Sequence, residues 1–224
     1  MGPLLWLGGI FLALSACSFP RILVLHDPLT AVQHLELGQI YEAGGDYDRA
    51  REEYRIATKR DPTLVGALIG LGNVAYQSGD PDEAVSFYRM ALEHDPPRPE
   101  VMNNLAWAYL AQGRQLEEAE QLVRRALSAD PPQTWAYRDT LGVLLHRRGA
   151  LEAARAEFAA ALSAQEEIPP AAEVEITEHL AALLFTMERP AEACAALARV
   201  AHLRGEGSGE VATERCAGQA PEGR

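Results

Sequence analysis

Apolar and polar positions in this chain follow a helical spacing that recurs at a fixed interval. In the stretch 65–96, apolar and small residues stand at the spacing of one buried face on each of two successive helices. These residues are Leu71, Gly72, Tyr76, Ala84, Tyr88, Ala91 and Pro96. Thirty-four residues earlier, or thirty-five for the first tyrosine, the corresponding set is Leu37, Gly38, Tyr41, Ala50, Tyr54, Ala57 and Pro62. The pattern predicts two similar units, each with two helices.

Turn-forming residues separate the two helices of each unit. Gly45 and Gly79 suit the left-handed backbone conformation that ends a first helix. Asp46 and Asp80 follow directly, where an aspartate caps the next helix. An Asp-Pro pair then stops each second helix, because the residue before a proline avoids the helical conformation. One such hairpin cannot bury its apolar face alone, so it must stack against further copies.

The spacing resembles that of tetratricopeptide repeats, W-x2-L-G-x2-Y…A-x3-F…P, with Leu68 in the place of the tryptophan. Three later stretches carry related series. Their residues are Leu105, Ala106, Tyr109, Gly113, Ala119, Val123, Ala126 and Pro131; Leu141, Gly142, Leu145, Gly149, Ala154, Phe158 and Ala161; and Leu180, Ala181, Leu184, Ala193, Leu197 and Val200. The resemblance implies an all-α protein, a right-handed α-solenoid of about five helix-turn-helix repeats with about ten helices.

The predicted repeats occupy residues 31–64, 65–98, 99–133, 134–170 and 171–203. Repeats four and five are separated by extra residues near 165–172, which include the adjacent prolines Pro169 and Pro170. Two interpretations stay open for this excess. It is either a longer second helix in repeat four or a joint between the two repeats.

The amino-terminal residues 1–16 are predicted to be a signal peptide, because Leu4–Leu14 is an apolar run of h-region length and is short for a bilayer span. The following Leu14-Ser15-Ala16-Cys17 resembles the lipobox of bacterial lipoproteins, which implies cleavage before Cys17 and attachment of lipid chains to it. Residues 17–30 would then form a tether. By the same resemblance, Ser18 favours the outer membrane over the inner membrane. No Lys or Arg precedes the apolar run, so an uncleaved short membrane anchor is the alternative.

The last segment, 204–224, is rich in glycine and glutamate, and disorder is its expected state. It contains Cys216, and Cys194 lies in the first turn of the predicted last helix. An exported protein meets an oxidising compartment, where thiols pair. With Cys17 lipidated, we predict a disulfide between Cys194 and Cys216 that holds the tail across the end of the stack as a cap. Two free thiols are the alternative.

Charge and composition exclude several classes of function. The formal net charge is −12, from 20 Lys and Arg against 32 Asp and Glu, which disfavours nonspecific binding of nucleic acid. The three cysteines have no zinc-binding spacing, and the six histidines are scattered without an H-E-x-x-H motif. We therefore expect no metal site, no cofactor, no small-molecule substrate and no catalytic residues, so that the protein is not an enzyme.

The remaining candidate site is the concave face of the stack, which the first helix of each repeat lines. The polar and aromatic residues predicted to form this partner-binding groove are Asn73, Gln77, Asn103, Asn104, Trp107, Asp139 and His146. Amide side chains both donate and accept hydrogen bonds, as an extended peptide backbone requires. Trp107 is of the residue type enriched at binding hot spots, with packing between neighbouring helices as the alternative role.

Asn73 and Asn104 occupy the positions that, in chaperone-binding tetratricopeptide domains, hold the terminal carboxylate and backbone of a ligand. The basic residues that accompany them in that family are replaced here by Ile69, Ala136 and Thr140. The comparison therefore argues against recognition of a carboxylate terminus.

We therefore expect a lipid-anchored adaptor that binds an extended or helical segment of a cell-envelope protein. The chain resembles outer-membrane tetratricopeptide lipoproteins that assist assembly of type IV pili or secretins, and other members of that class recruit peptidoglycan hydrolases. The alternative of a different class is a structural subunit of an outer-membrane assembly complex, held by its convex surface. The expected location is the outer membrane, facing the periplasm, with an inner-membrane anchor as the alternative.

Overall fold

The computed structural model describes residues 27–94, 98–129, 132–164, 167–205 and 216. Ten α-helices and no strands occur in these residues, in five antiparallel pairs. The helices are α1 (Ala31–Ala43), α2 (Tyr47–Arg60), α3 (Val65–Gln77), α4 (Pro81–His94), α5 (Pro99–Gln112), α6 (Leu116–Ser128), α7 (Thr134–Arg147), α8 (Leu151–Leu162), α9 (Pro170–Thr186) and α10 (Pro190–Leu203). The predicted all-α solenoid of about ten helices is confirmed.

Local sequence explains where these helices begin and end. Thr30 starts α1 with a capping box, in which Thr30 and Gln33 each accept the other's backbone N–H. The turn from α1 to α2 passes through Gly45, whose φ of 75° requires the left-handed region. Asp46 then accepts the backbone N–H of Arg49 and caps α2. The same turn recurs after α3, with Gly79 at φ 79°.

An aromatic ring from each of three second helices fits against a glycine of the first helix. A Cβ atom on Gly38 would lie 2.4 Å from the Tyr54 ring, and one on Gly70 would also lie 2.4 Å from it. Tyr54 of α2 therefore sits between α1 and α3 with no room on either side. Tyr88 packs against Gly72, and Phe158 against Gly142, in the same way within their own helix pairs. A Cβ atom on either glycine would lie 2.5 Å from the ring.

The first helices form the inner layer of the solenoid. The backbone of each of α1, α3, α5 and α7 approaches the next first helix as well as its sequence neighbours. In the described residues the backbones of the second helices approach only their sequence neighbours, and second helices reach one another through side chains, as Arg51 of α2 does with Glu83 of α4. Repeats that are closer together on one side curve toward that side. The concave face is therefore lined by α1, α3, α5, α7 and α9.

The extra residues between repeats four and five form a joint. Helix α8 ends at Leu162, and α9 begins at Pro170 and runs for 17 residues, longer than the 12 to 14 of the others. The second helix of repeat four is thus not lengthened. The additional chain is divided between a connecting segment and a longer first helix in repeat five.

Residues 27–30 lie against the first repeat. Asp27 is 2.8 Å from His34 and 2.9 Å from Arg60, and the other ring nitrogen of His34 is 2.6 Å from Glu53. This cluster fixes the chain where it enters α1. The predicted signal peptide, Cys17 and the tether up to residue 26 lie outside the described residues, and none of the described helices is long and apolar enough to cross a bilayer.

At the other end of the stack, the sulfur atoms of Cys194 and Cys216 are bonded at 2.08 Å, and their Cα atoms are 6.0 Å apart. Cys194 is the fifth residue of α10, so it lies in the second turn and not in the first as predicted. The path of residues 206–215, which the cap hypothesis requires, lies outside the described residues.

Candidate functional site: the concave groove

A cavity of about 340 Å³ opens on the concave face. Five helices contribute to it, from repeats one, two, three and five. Its lining residues are Glu42 of α1; Asn73, Tyr76 and Gln77 of α3; Tyr88 of α4; Asn104 and Trp107 of α5; and Glu175 of α9. We call this the groove cavity. Its volume is at the lower end of the range for small-ligand pockets, about 300–1,000 Å³, so it suits one or two side chains of a partner.

Hydrogen bonds centred on Asn73 hold one wall of the groove cavity. The Asn73 amide nitrogen donates to Glu42 at 3.1 Å, and its oxygen accepts from the Tyr88 hydroxyl at 2.9 Å and from the Asn104 amide at 3.3 Å. The Tyr54 hydroxyl donates to the second oxygen of Glu42 at 2.5 Å. The network joins three successive repeats and fixes these side chains before any partner arrives.

Glu175 and Tyr76 also line the groove cavity. Burial, and after it the negative charge of Glu175, raises the pKa of Tyr76. Burial, together with Glu42 and Tyr76, raises the pKa of Tyr88 as well. Both tyrosines are therefore neutral near pH 7, and each keeps a hydroxyl that can donate or accept.

A second polar cluster continues the groove beyond Trp107. The ring centroids of Trp107 and His179 are 6.1 Å apart, and His179 Nδ1 is 2.9 Å from Asp139. Burial of His179 opposes its charged form, but the hydrogen bond and negative charge of Asp139 outweigh burial and raise its pKa. His146 lies 3.0 Å from the Thr186 hydroxyl, and burial, aided by Arg147 and His179, lowers its pKa.

Four of the seven predicted groove residues line the groove cavity: Asn73, Gln77, Asn104 and Trp107. Asn103, Asp139 and His146 do not line it. Asp139 is only 6% exposed, and the Asn103 side-chain oxygen is buried without a hydrogen-bond partner among the described residues. Trp107 packs against the core and also lines the cavity.

Sequence reasoning missed five residues of the groove: Glu42, Tyr76, Tyr88, Glu175 and His179. Tyr88 was assigned to packing, and only the structure shows that its hydroxyl reaches Asn73. In α9, Glu178 does not line the groove cavity and pairs with Arg204 at 2.8 Å. The next residue, His179, is the one that faces Trp107. Counting a helical period of 3.6 through the exposed positions of α9 is the signal that could have found Glu175 and His179.

The groups that this site presents are amides, hydroxyls, aromatic rings and carboxylates. The described residues contain no group of three or more His, Cys, Asp or Glu placed to hold a metal ion. Asp139 and His179 form a carboxylate–imidazole pair, but no hydroxyl or thiol of the described residues is bonded to this imidazole. A nucleophile activated by a base requires such a contact.

Two sequence families match the chain, both described as tetratricopeptide repeat, over residues 35–99 and 75–136. No curated protein matches the chain significantly. The matched span includes most of α1 and all of α2 to α6, so three of the five helix pairs are recognised from sequence.

Solved structures extend the similarity to most of the chain. The type IV pilus biogenesis factor PilW is 20% identical with a TM-score of 0.69, covering 84% of this chain and 91% of PilW. Pseudomonas aeruginosa pilF is 21% identical with a TM-score of 0.63, covering 84% and 87%. YrrB, described as a tetratricopeptide protein with an unusual peptide-binding site, is 19% identical with a TM-score of 0.58, covering 78% and 87%. At these identities the similarity establishes the fold.

Proposed function

We propose that this chain, whose residues 35–136 are tetratricopeptide repeats, is a non-enzymatic scaffold that holds a segment of a cell-envelope protein in its concave groove. The observation that carries the proposal is the groove cavity, where amides, aromatic rings and carboxylates converge from four repeats. Such groups recognise an extended peptide through its backbone and side chains. The similarity to PilW, described as a type IV pilus biogenesis factor, favours an envelope assembly partner.

The proposal includes a lipid anchor on Cys17 and a position on the periplasmic side of the outer membrane. The lipobox-like sequence Leu14-Ser15-Ala16-Cys17 supports it. Labelling of cells with an alkyne fatty acid tests the anchor directly. We expect the wild-type chain to incorporate the label and Cys17→Ala to lose it; equal labelling of both would remove the anchor from the proposal. Fractionation of the labelled chain then assigns it to the inner or the outer membrane.

Photo-crosslinking in intact cells tests the groove without disturbing its hydrogen bonds. Gln77 lines the cavity, is exposed and forms no side-chain hydrogen bond in the described residues, so it can carry a photo-reactive residue. We expect this position to crosslink a single protein partner. The control is Glu93 on α4, which is exposed and lies outside the cavity. Crosslinking from Glu93 and not from Gln77 would support the structural-subunit alternative instead.

A set of alanine variants gives a second test of the same proposal. Asn73→Ala, Asn104→Ala and Trp107→Ala together should abolish capture of the crosslinked partner. The matched control replaces Lys59, Glu93 and Arg125, one exposed residue from each of α2, α4 and α6, and should capture normally. Melting curves of both triple variants identify any loss of capture that is due to unfolding.

A further inference from the structure

The groove cavity presents negative charge without a Lys or Arg partner. Glu42 on α1 and Glu175 on α9 both line it, and in the described part of the chain no Lys or Arg pairs with either carboxylate. The basic group near Glu175 is His179, which is bonded to Asp139. Most other carboxylates on the solenoid that form ion pairs do so with arginine, as Glu83 does with Arg51 at 2.8 Å. The two groove carboxylates are therefore available to an incoming cation.

The hydrogen-bond donors of the Asn73 network are already used within the wall. Tyr54 and Asn73 donate to Glu42, while Tyr88 and Asn104 donate to the Asn73 oxygen. The acceptor oxygen of Asn104 receives no hydrogen bond from the described residues. What this network and Glu175 offer a ligand is thus mainly acceptors, namely two carboxylates and an amide oxygen.

Aromatic rings complete the cavity. Trp107 and Tyr76 both line it, and the face of an indole or phenol ring attracts a cation placed over it. The two carboxylates disfavour an anionic ligand. A purely apolar side chain would cover both carboxylates without pairing their charge. A positively charged group with several N–H donors satisfies the carboxylates, the amide oxygen and the rings together.

We propose that the groove cavity receives a cationic side chain, arginine or lysine, from the partner segment; this rests on the proposed function of the groove. Arginine fits better than lysine, because its planar guanidinium stacks on aromatic rings and offers five N–H donors in a fixed fork. The specificity is the reverse of the carboxylate recognition seen in chaperone-binding tetratricopeptide domains. The partner is thus a protein with a basic segment that is accessible in the cell envelope.

Titration of the purified protein with blocked tripeptides tests this inference. The probes are acetyl-Gly-Arg-Gly-amide, its lysine and glutamate counterparts, and the citrulline tripeptide, which keeps the shape of arginine without its charge. The readout is the NMR signal of the Trp107 indole N–H and of the Asn104 side-chain amide. We expect saturable shifts with the arginine peptide, weaker ones with lysine, and at least tenfold weaker binding of citrulline and glutamate.

Single charge-neutralising variants locate the contact. Glu175→Gln should weaken binding of the arginine peptide at least about fivefold, because one charge-assisted hydrogen bond is lost. Glu42→Gln should weaken this binding by the same amount. Glu178→Gln is the matched control, because it makes the same charge change on the same helix but pairs with Arg204 outside the cavity. Its affinity should stay within twofold of the wild type.

Three results would overturn the inference: equal binding of citrulline and arginine, preference for the glutamate peptide, or no shift of the groove signals by any peptide. These outcomes leave the proposed scaffold function standing if Gln77 still crosslinks a partner in cells. If the arginine peptide binds as expected but Gln77 crosslinks nothing, the cavity chemistry holds and the envelope-scaffold proposal fails.

Discussion

A step of one residue along a first helix separates a side chain that faces the groove from one that makes its contacts elsewhere. Asn104 lines the cavity, whereas the oxygen of Asn103 is buried. His179 faces Trp107, whereas Glu178 pairs with Arg204 at the end of α10. Substitutions at adjacent positions therefore test different properties, ligand binding at one and packing at the next.

The pair of Asp139 and His179 makes stability depend on pH. Because Asp139 raises the native pKa of His179 above the ordinary value of about 6.5, the protonated pair stabilises the fold fully below pH 6.5. That contribution is lost as the pH rises through the raised pKa. The difference in unfolding free energy between wild type and Asp139→Asn should therefore be larger at pH 6 than at pH 9, as measured by urea denaturation.

NMR titration of the histidine ring protons provides the direct control. His179 should titrate above pH 6.5 in the wild type and at a lower pH in Asp139→Asn. His146, whose pKa is lowered by burial, should titrate below pH 6.5 in the wild type. A His179 signal that titrates at or below 6.5 in the wild type would contradict the stabilising role of Asp139.

At the level of helices, the closest packing occurs where Tyr54 fills the space between α1 and α3. Two glycines, Gly38 and Gly70, leave room for its ring. The ring is fully buried and its hydroxyl is anchored on Glu42. One side chain of α2 therefore sets the separation between two successive first helices, which is the spacing that shapes the groove.

The substitution Gly70→Ala should destabilise the fold. Its Cβ would lie within 2.4 to 2.7 Å of three Tyr54 ring atoms, and overpacking of this kind costs about 1–3 kcal/mol. The gain in helix propensity offsets at most about 1 kcal/mol of that cost. We expect a net loss of about 1–2 kcal/mol in the free energy of unfolding, measured by urea denaturation.

Gly66→Ala, in the same helix, is the matched control. Its Cβ would meet the flexible end of Leu35 at 3.0 Å, which can move aside, so the propensity gain should leave stability unchanged or slightly increased. If both variants behave alike, the contact between Tyr54 and Gly70 does not limit the approach of the helices.

The sequence was sufficient to predict the helix pairs because the required residues lie close together along the chain. Gly45 and Asp46, for example, specify a turn and a cap by themselves. The groove was harder to predict, since it depends on how distant helices are rotated. The repeat pattern predicts both Asn103 and Asn104 for the groove, for example, whereas only Asn104 lines the cavity.

On the scale of the whole molecule, the two ends of the solenoid are stabilised differently. The core around α2 and α3, with Tyr54 and Leu71, forms a separate cluster, and Phe87 packs against both it and the main core. In α1 only His34 and Gly38 are buried. The last helix carries the covalent link between Cys194 and Cys216.

Loss of the disulfide should loosen the last repeat selectively. For a loop of 22 residues, the chain-entropy model gives about 3 kcal/mol of stabilisation. We expect Cys194→Ser to increase amide hydrogen exchange in α9 and α10, and to leave α5 and α6 unchanged. Reducing agent should produce the same change in the wild type and none in the variant. Mass spectrometry that finds both thiols free in oxidised protein would contradict the link.

The walls of the groove cavity come from helices that belong to four different repeats. An occupant that touches them all will bind only the fully stacked chain, so its binding free energy adds to the stability of the stack. A bound segment should raise the melting temperature of the protein. It should slow amide hydrogen exchange most in α1, because this helix has the fewest buried residues of its own. Fragments of one or two repeats should show no affinity, and the partner thereby reports whether the chain has folded completely.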